Sequence, residues 1–532
     1  MEIWLLLAMV AICAAAVLAP RVNVAAPLLL VAVGIVAGFL PGVAPVEVDP
    51  EWILAGLLPP LLYSSAVSMP VMSFRREFGP IAGLSVLLVV ISSLLLGLLI
   101  WWLIPGLGLW WSIALGAIVS PTDAVATSIV KSIGVSPRIT SILDGEGLLN
   151  DATALVMLRT AIAATAVSVS FWGVVGEIAY SVVVAAAIGL AVGVLTLKIR
   201  ARIAHATATT ALSFVVPFVA ALPAEGLEAS GLVAAVVAGL VTGQGAARHL
   251  TPMQRLSDHQ NWRTIEFLLE GAIFLLMGLE LHALLLDLPS DGAGVVLGAV
   301  GVAMAVLLAS VLVRAGFVAP LLYWLKGRSR RRRRIQPMLR KVHDAIEDGS
   351  LPEQFPPSRF GQDPEKFRVR VRRLLADIDY FLTSPLTARD GAVVVWAGMR
   401  GAVTLAAAQT LPSDAPNRSL LILIAFLVAG FSLLVQGGTL RWFVLWIKPT
   451  AGPTAEEQAA ERAALVDLTD AAAQAVPATA DGAAHELATI EARRDALLDA
   501  RDDGLFDAAV LTSQLTALDA EEISLRLRNP EL

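Results

Sequence analysis

The sequence predicts an all-α polytopic membrane protein: about thirteen transmembrane helices with inverted repeats and two crossed broken helices, plus a cytoplasmic helical C-terminal tail. Three observations lead there. Of 532 residues, 57% are hydrophobic and only 16% charged, against about 25% charged in a soluble domain. The apolar residues fall in runs of the roughly 17–25 residues needed to cross a bilayer. Two of those runs are interrupted at corresponding positions by residues that unwind a helix.

Taken in order, the predicted spans lie near 3–20, 24–41, 52–70, 80–104, 110–133, 140–168 and 172–197, then 208–223, 230–246, 262–287, 293–325, 390–411 and 418–446. The first begins Met1-Glu2-Ile3-Trp4; its leading charge is acidic where a signal peptide needs a basic start, so it reads as a retained span. Alternate loops carry Arg21; Arg75 and Arg76; Lys131 and Arg138; Lys198, Arg200 and Arg202; Arg248 and Arg255; and the stretch from Lys326 to Arg373. The intervening loops hold Glu47, Asp49 and Glu51; Glu225 and Glu228; Asp287 and Asp291. Lysine and arginine accumulate on the cytoplasmic side, which places the N-terminus outside and the C-terminus inside a bacterial inner membrane.

Four segments follow: a membrane transporter domain over 1–325, a basic cytoplasmic insertion at 326–389, the last two spans at 390–446, and a cytoplasmic helical tail at 451–532. The insertion opens with Lys326, Arg328 and the arginines 330–334 beside a span, the pattern of an anchor to anionic headgroups. Helices are expected near 335–348 and 364–382. In the tail, 486–527 has helical apolar spacing and suits a two- or three-helix hairpin. It serves either as a solvated folding or pairing element or as a regulatory one.

Cys13 is the only cysteine, which excludes an intrachain disulfide, and the six histidines lack ligand spacing. No cofactor and no nucleic acid is expected. The chemistry is sought instead among ionisable residues inside spans, which are costly there and therefore functional candidates. These are Asp123, Glu146, Asp151, Arg159, Glu266, Glu270, Glu280 and Arg400.

The fifth span breaks at Ser120-Pro121-Thr122-Asp123, where proline removes a donor, and the twelfth at Gly398-Met399-Arg400-Gly401, where glycines permit unwinding. Unwound backbone offers carbonyls to a cation, and Asp123 and Arg400 would compensate the facing half-helix dipoles. On the sixth span, Gly145-Glu146-Gly147-Leu148-Leu149-Asn150-Asp151 stacks Glu146 over Asn150 and Gly147 over Asp151 at i, i+4. A lone buried carboxylate at 151 could hold a proton or a hard monovalent cation, but not both, and such competition is all that antiport requires. Glu146 is expected to pair with Arg400, since an unpaired buried arginine is prohibitive. Asp123 reads as helix cap, ion ligand or both. Arg159 reads as an interhelical clamp and Glu280 as a snorkelling or paired group. Glu266 and Glu270 share a face that lines an inner funnel or is simply hydrated.

Ser-Pro-Thr-Asp-Ala-Val-Ala at 120–126, Glu-Gly-Leu-Leu-Asn-Asp at 146–151 and Gly-Met-Arg-Gly-Ala-Val-Thr-Leu-Ala at 398–406 resemble the sodium/proton exchanger family of bacteria and animals, Asn-Asp subgroup. Leu-Pro-Pro-Leu-Leu-Tyr at 58–63 and Phe-Leu-Leu-Met-Gly-Leu at 274–279 fit it too, and the resemblance runs through all the spans in order. It implies a homodimer whose six-helix core moves like an elevator against a dimerisation domain. It also implies that Asp151 carries ion and proton, that Asp123 and the Thr122 carbonyl help coordinate, and that Asn150 steadies a Glu146–Arg400 pair. Exchange would be one-for-one. Two positions depart from the pattern: Gly147 stands where a serine is common, and Ser64 where some members have glutamate. The cargo is expected to be Na⁺ against H⁺, with Li⁺ also tested; the thinned ligand set keeps K⁺/H⁺ exchange as the alternative. A channel or sensor fits less well, because the charges sit uniquely at two broken helices. An aspartyl protease lacks the flanking residues it needs. The chain is not expected to be an enzyme.

Overall fold

The computed structural model describes residues 2–22, 25–41, 52–166, 171–203, 205–286, 292–347, 364–477, 482–504 and 506–529. The acidic loop residues Glu47, Asp49, Glu51, Asp287 and Asp291 lie outside the described residues.

The described chain is helical, and its helices sort into two bundles. The first holds α1 (Glu2–Val22), α2 (Ala26–Gly38), α3 (Leu58–Ser68, entered through a π-turn at Trp52–Leu57), and α9 to α12 (Phe171–Arg200, Ala206–Gly226, Gly231–His249, Pro252–Leu286). Numbered in chain order, the second holds α4 and α5 (Val71–Ala82 and Leu88–Leu103, joined by a π-turn), α6 (Leu109–Ile118), α7 (Val125–Ser132) and α8 (Pro137–Ala166). It is completed by α13 (Gly292–Glu347), α15 (Ala388–Trp396), α16 (Ala402–Gln409), and α17 and α18 (Arg418–Ser432 and Gly438–Ile447). Seven of the helices or helix pairs are long and apolar enough to cross a membrane by themselves, and the shorter α2, α3 and α6 are apolar too.

Small residues let the helices close up without a hydrophobic driving force between them. Gly34 of α2 and Gly278 of α12 face each other so tightly that a Cβ on either would run into the other helix's backbone. Gly116 of α6 meets α5 at Gly97 in the same way. These contacts fix the walls around the two broken spans.

Where the sequence suggests a separate helix near 335–348, α13 continues unbroken from the membrane through the arginine run to Glu347. Arginine is a good helix former, so the charge change at Lys326 alters what surrounds the helix without ending it. The insertion's second helix, α14, covers Pro364–Thr383. The tail forms three helices, α19 (Ala455–Gln474), α20 (Gly482–Asp503) and α21 (Ala508–Arg528), closed around Leu465, Leu497, Leu511 and Leu518. It docks on both bundles: Arg255 pairs with Asp519, Arg248 lies 2.7 Å from Asp502, and Arg76 donates to the Gly504 carbonyl at 2.6 Å.

Candidate ion-binding site

Helix α6 stops at Ile118, and the chain is unwound over residues 121–123 before α7 starts. Opposite it, α15 stops at Trp396, the chain is unwound from Gly398 to Gly401, where the backbone is extended, and α16 follows. The two breaks touch, because the Asp123 N–H donates to the Met399 carbonyl at 2.8 Å. Gly401 makes the approach possible, since a Cβ there would fall inside the Asp123 carboxylate.

The exposed half-helix ends are covered by opposite charges. Asp123 Oδ1 accepts from Val125 N–H at 2.8 Å, capping α7. Arg400 Nε donates at 2.9 Å to the carbonyl of Val119, at the end of α6, and its guanidinium also reaches the Gly398 carbonyl. The Arg400 N–H is held by Ser432 Oγ at 2.8 Å. Each charge sits at the pole of the helix dipole it complements.

One expectation is corrected here. Glu146 does not pair with Arg400; its carboxylate is gripped through both oxygens by Arg314 of α13, with Nη2 at 2.7 Å from Oε2. Arg314 Nε also donates to the Val394 carbonyl at 2.9 Å, and both partners are only 2% exposed at their side chains. Arg400 instead donates through Nε and Nη1 to backbone carbonyls at the helix breaks, and Glu146 is taken by the other buried arginine. Sequence reasoning passed over Arg314, yet it is the sole charged residue between 292 and 325, and that isolation was the available signal.

Asn150 connects this pair to the break. Its Nδ2 donates at 2.9 Å to both the carbonyl and the Oγ1 of Thr122, and Thr122 Oγ1 donates onward to Glu146 Oε1 at 3.0 Å. The unwound turn is thus locked to α8 and, through Glu146, to α13. The Thr122 carbonyl keeps its second lone pair, and Asn150 Oδ1 is buried without a partner among the described residues.

Beside this network lies a cavity of about 320 Å³. Asp151, Asp123, Thr122, Gly147 and Gly401 line it from one bundle; Ser65, Glu266, Glu270 and Phe274 line it from the other. It extends to Ser68, Pro70, Lys131 and Asp144, where Lys131 pairs with Asp144 at 2.8 Å. Asp151 is 6% exposed, and its carboxylate makes no hydrogen bond or ion pair among the described residues. Of the described residues, five carboxylates and a single lysine face this space, so its field favours cations. Among the described residues no three acidic or imidazole side chains converge on one point, so a bound cation would complete its shell with backbone oxygens and water.

The remaining candidates separate. Ser64 does not line the cavity; its Oγ donates to Glu266 Oε2 at 3.0 Å and orients a carboxylate that does. Glu266 and Glu270 belong to the funnel. Glu280 is buried elsewhere and accepts from Gln409 at 3.3 Å. Arg159 is exposed, away from Asp151's cavity, and lines a small cleft with Glu225. The structure adds two buried pairs that the sequence did not announce, Arg138 with Glu77 at 2.5 Å and Arg200 with Asp258.

The family model for the sodium/hydrogen exchanger, transmembrane, matches residues 6–342 and 367–446. The chain belongs to that family. The exchanger is therefore a multi-pass membrane transporter, and monovalent cation/proton antiport is its activity. It is similar to an uncharacterized Na(+)/H(+) exchanger of Escherichia coli, 35% identical over 270 residues, 49% of each chain. This alignment spans about half that relative's length. A second such exchanger, of Mycobacterium tuberculosis, is 27% identical across 96% of this chain and 93% of its own. In fold, the exchanger matches the sodium proton antiporter MjNhaP1 of Methanocaldococcus jannaschii, with a TM-score of 0.58, 15% identity, and coverage of 84% of this chain and 97% of that one.

Proposed function

We propose that the exchanger moves Na⁺ against H⁺ through Asp151, one cation for one proton. The observation that carries this reading is the buried Asp151 carboxylate, which has no counter-charge among the described residues and faces a negatively charged cavity beside two unwound spans. In such a place the anion is tolerated only when a proton or a cation neutralises it. The two occupants exclude each other, so each crossing carries one charge in either direction. Asp123 and the free lone pair of the Thr122 carbonyl supply further oxygens. Asn150, Glu146 and Arg314 hold the turn in shape, and Gly147 leaves room for water.

The cavity walls come from both bundles, which supports alternating access by sliding of the bundle that carries Asp151 against the other. The cavity reaches Ser68, Pro70 and Lys131, on the side where the sequence gathers its arginine-bearing loops, so this conformation faces the cytoplasm of an inner membrane with the N-terminus outside and the C-terminus within. The homodimer is part of the same reading and rests on the resemblance.

The test is exchange in proteoliposomes with an internal pH dye and imposed gradients of Na⁺, K⁺ or Li⁺. Dequenching on Na⁺ addition is expected, and Asp151→Asn should abolish it in protein that is still monodisperse and folded. Retained exchange in that variant would end the assignment.

A further inference from the structure

A second and larger cavity, of about 1180 Å³, lies on the far side of the α4–α8 wall, between α4, α13, α14 and α15. It exceeds the roughly 300–1,000 Å³ of common small-ligand pockets, and its lining changes character along its length. Ala315, Val318, Ala319 and Leu322 of α13, with Phe78 and Pro80 of α4, make one end apolar. Beyond Leu325 the same helix turns to Lys326, Arg328, Arg330, Arg332 and Arg333, and Arg75, Arg76 and Arg138 join them. Among the described residues, eight cationic side chains face this end against one carboxylate, Asp377.

Half of these cations are already used. Arg76 pairs with Asp377 at 2.7 Å and Arg138 with Glu77; Arg332 lies 3.8 Å over the Phe381 ring and Arg328 lies 5.3 Å over Trp324. The others, Arg75, Lys326, Arg330 and Arg333, form no ion pair among the described residues, and all are exposed. Four like charges gathered without counter-ions repel one another, and an anion of matching chemistry relieves that cost. The switch from apolar to cationic lining occurs within one turn of α13, at the level where Tyr323 (83% exposed) and Trp324 (50%) stand out from the helix like interfacial aromatics.

We infer that this cavity binds the phosphate of an anionic phospholipid, with the arginine end on the headgroup and the α4–α13 groove on the acyl chain. The shared chemistry is a phosphate monoanion, which a soluble phosphate also offers. The apolar half of the cavity is what favours lipid. The inference goes beyond the antiport reading and does not depend on which ion is carried.

The test is native mass spectrometry of the detergent-purified full chain, with phosphatidylglycerol, phosphatidylcholine or inorganic phosphate added, alongside a thermal scan of each sample. The variant is Lys326→Gln/Arg330→Gln/Arg333→Gln, which breaks no ion pair of the described structure. The control removes equal charge at exposed Lys198, Arg202 and Arg263. Phosphatidylglycerol should be retained by the parent and the control and should shift their unfolding midpoints upward. In the variant its binding should weaken by about ten- to a hundredfold, with the lipid-free midpoint unchanged. Protection by millimolar phosphate alone, lost in the same variant, would move the source from membrane to solution and overturn the lipid assignment. Equal phosphatidylglycerol binding by variant and control would overturn the site itself.

Discussion

Removing Arg314 tests the corrected pairing most directly. Its guanidinium makes two contacts to Glu146 and one to the Val394 carbonyl, with both side chains 2% exposed. Arg314→Met keeps the apolar stem and deletes the charge, leaving Glu146 ionised and buried without its partner. Breaking one side of a buried pair costs about 3–5 kcal/mol. Glu146→Gln should cost a similar amount, because it strands Arg314. The double variant Glu146→Gln/Arg314→Met removes both charges and should be much closer to the parent than the sum of the singles, by several kcal/mol of coupling. Glu146→Gln/Arg400→Met should show no such rescue, since Arg400 is held by the carbonyls of Val119 and Gly398. The assay is the apparent unfolding midpoint in detergent at one fixed heating rate, because membrane proteins of this size unfold irreversibly and only ranked midpoints are comparable. Rescue by the Arg400 double and none by the Arg314 double would refute the assignment.

Three other outcomes are expected, each read by a different measurement. Gly401→Ala places a methyl group inside the Asp123 carboxylate; it should cost about 1–3 kcal/mol and severely impair exchange, and a variant with native kinetics would show that the breaks do not stay in contact. Gly147→Ser meets only Ala124, at 3.9 Å, so it should fold normally and lower the apparent Na⁺ constant by adding an oxygen to the cavity; an unchanged constant would mean position 147 is remote from the ion. In the tail, burial alone would raise the Glu522 carboxyl, but hydrogen bonds from Arg494 and Arg526 outweigh it and hold the group below the usual range. A depressed carboxyl stabilises above its unfolded value, roughly pH 4.3, and that contribution disappears as pH falls through the lower folded value. Amide protection over 508–528 should therefore drop below about pH 4, and Glu522→Gln should flatten that part of the profile.

Much of the fold was legible because its signals are local. Apolar run lengths, the phase of arginine-bearing loops, and the Pro121 and Gly398–Gly401 interruptions are properties of short stretches of chain. Asp151 stood out for a similar reason, since a carboxylate inside an apolar span is expensive wherever its neighbours lie. The partner of Glu146 was not legible. Arg314 and Arg400 are both buried arginines, and nothing in their own sequence neighbourhoods says which one reaches α8 across 168 residues of chain.

The sequence by itself therefore determined that this chain crosses the membrane many times, where two of its helices break, and which carboxylate stands within an apolar span beside them. The tertiary structure decided that the two breaks lean on each other through Asp123 and Met399, that Arg314 rather than Arg400 neutralises Glu146, and that Glu266 and Glu270 face the same space as Asp151. It also decided that the acidic tail reaches Arg248 and Arg255 on one bundle and Arg76 on the other. The physical reason is range. Propensity and hydropathy act over a few residues, whereas which charges meet depends on how helices distant in sequence pack together.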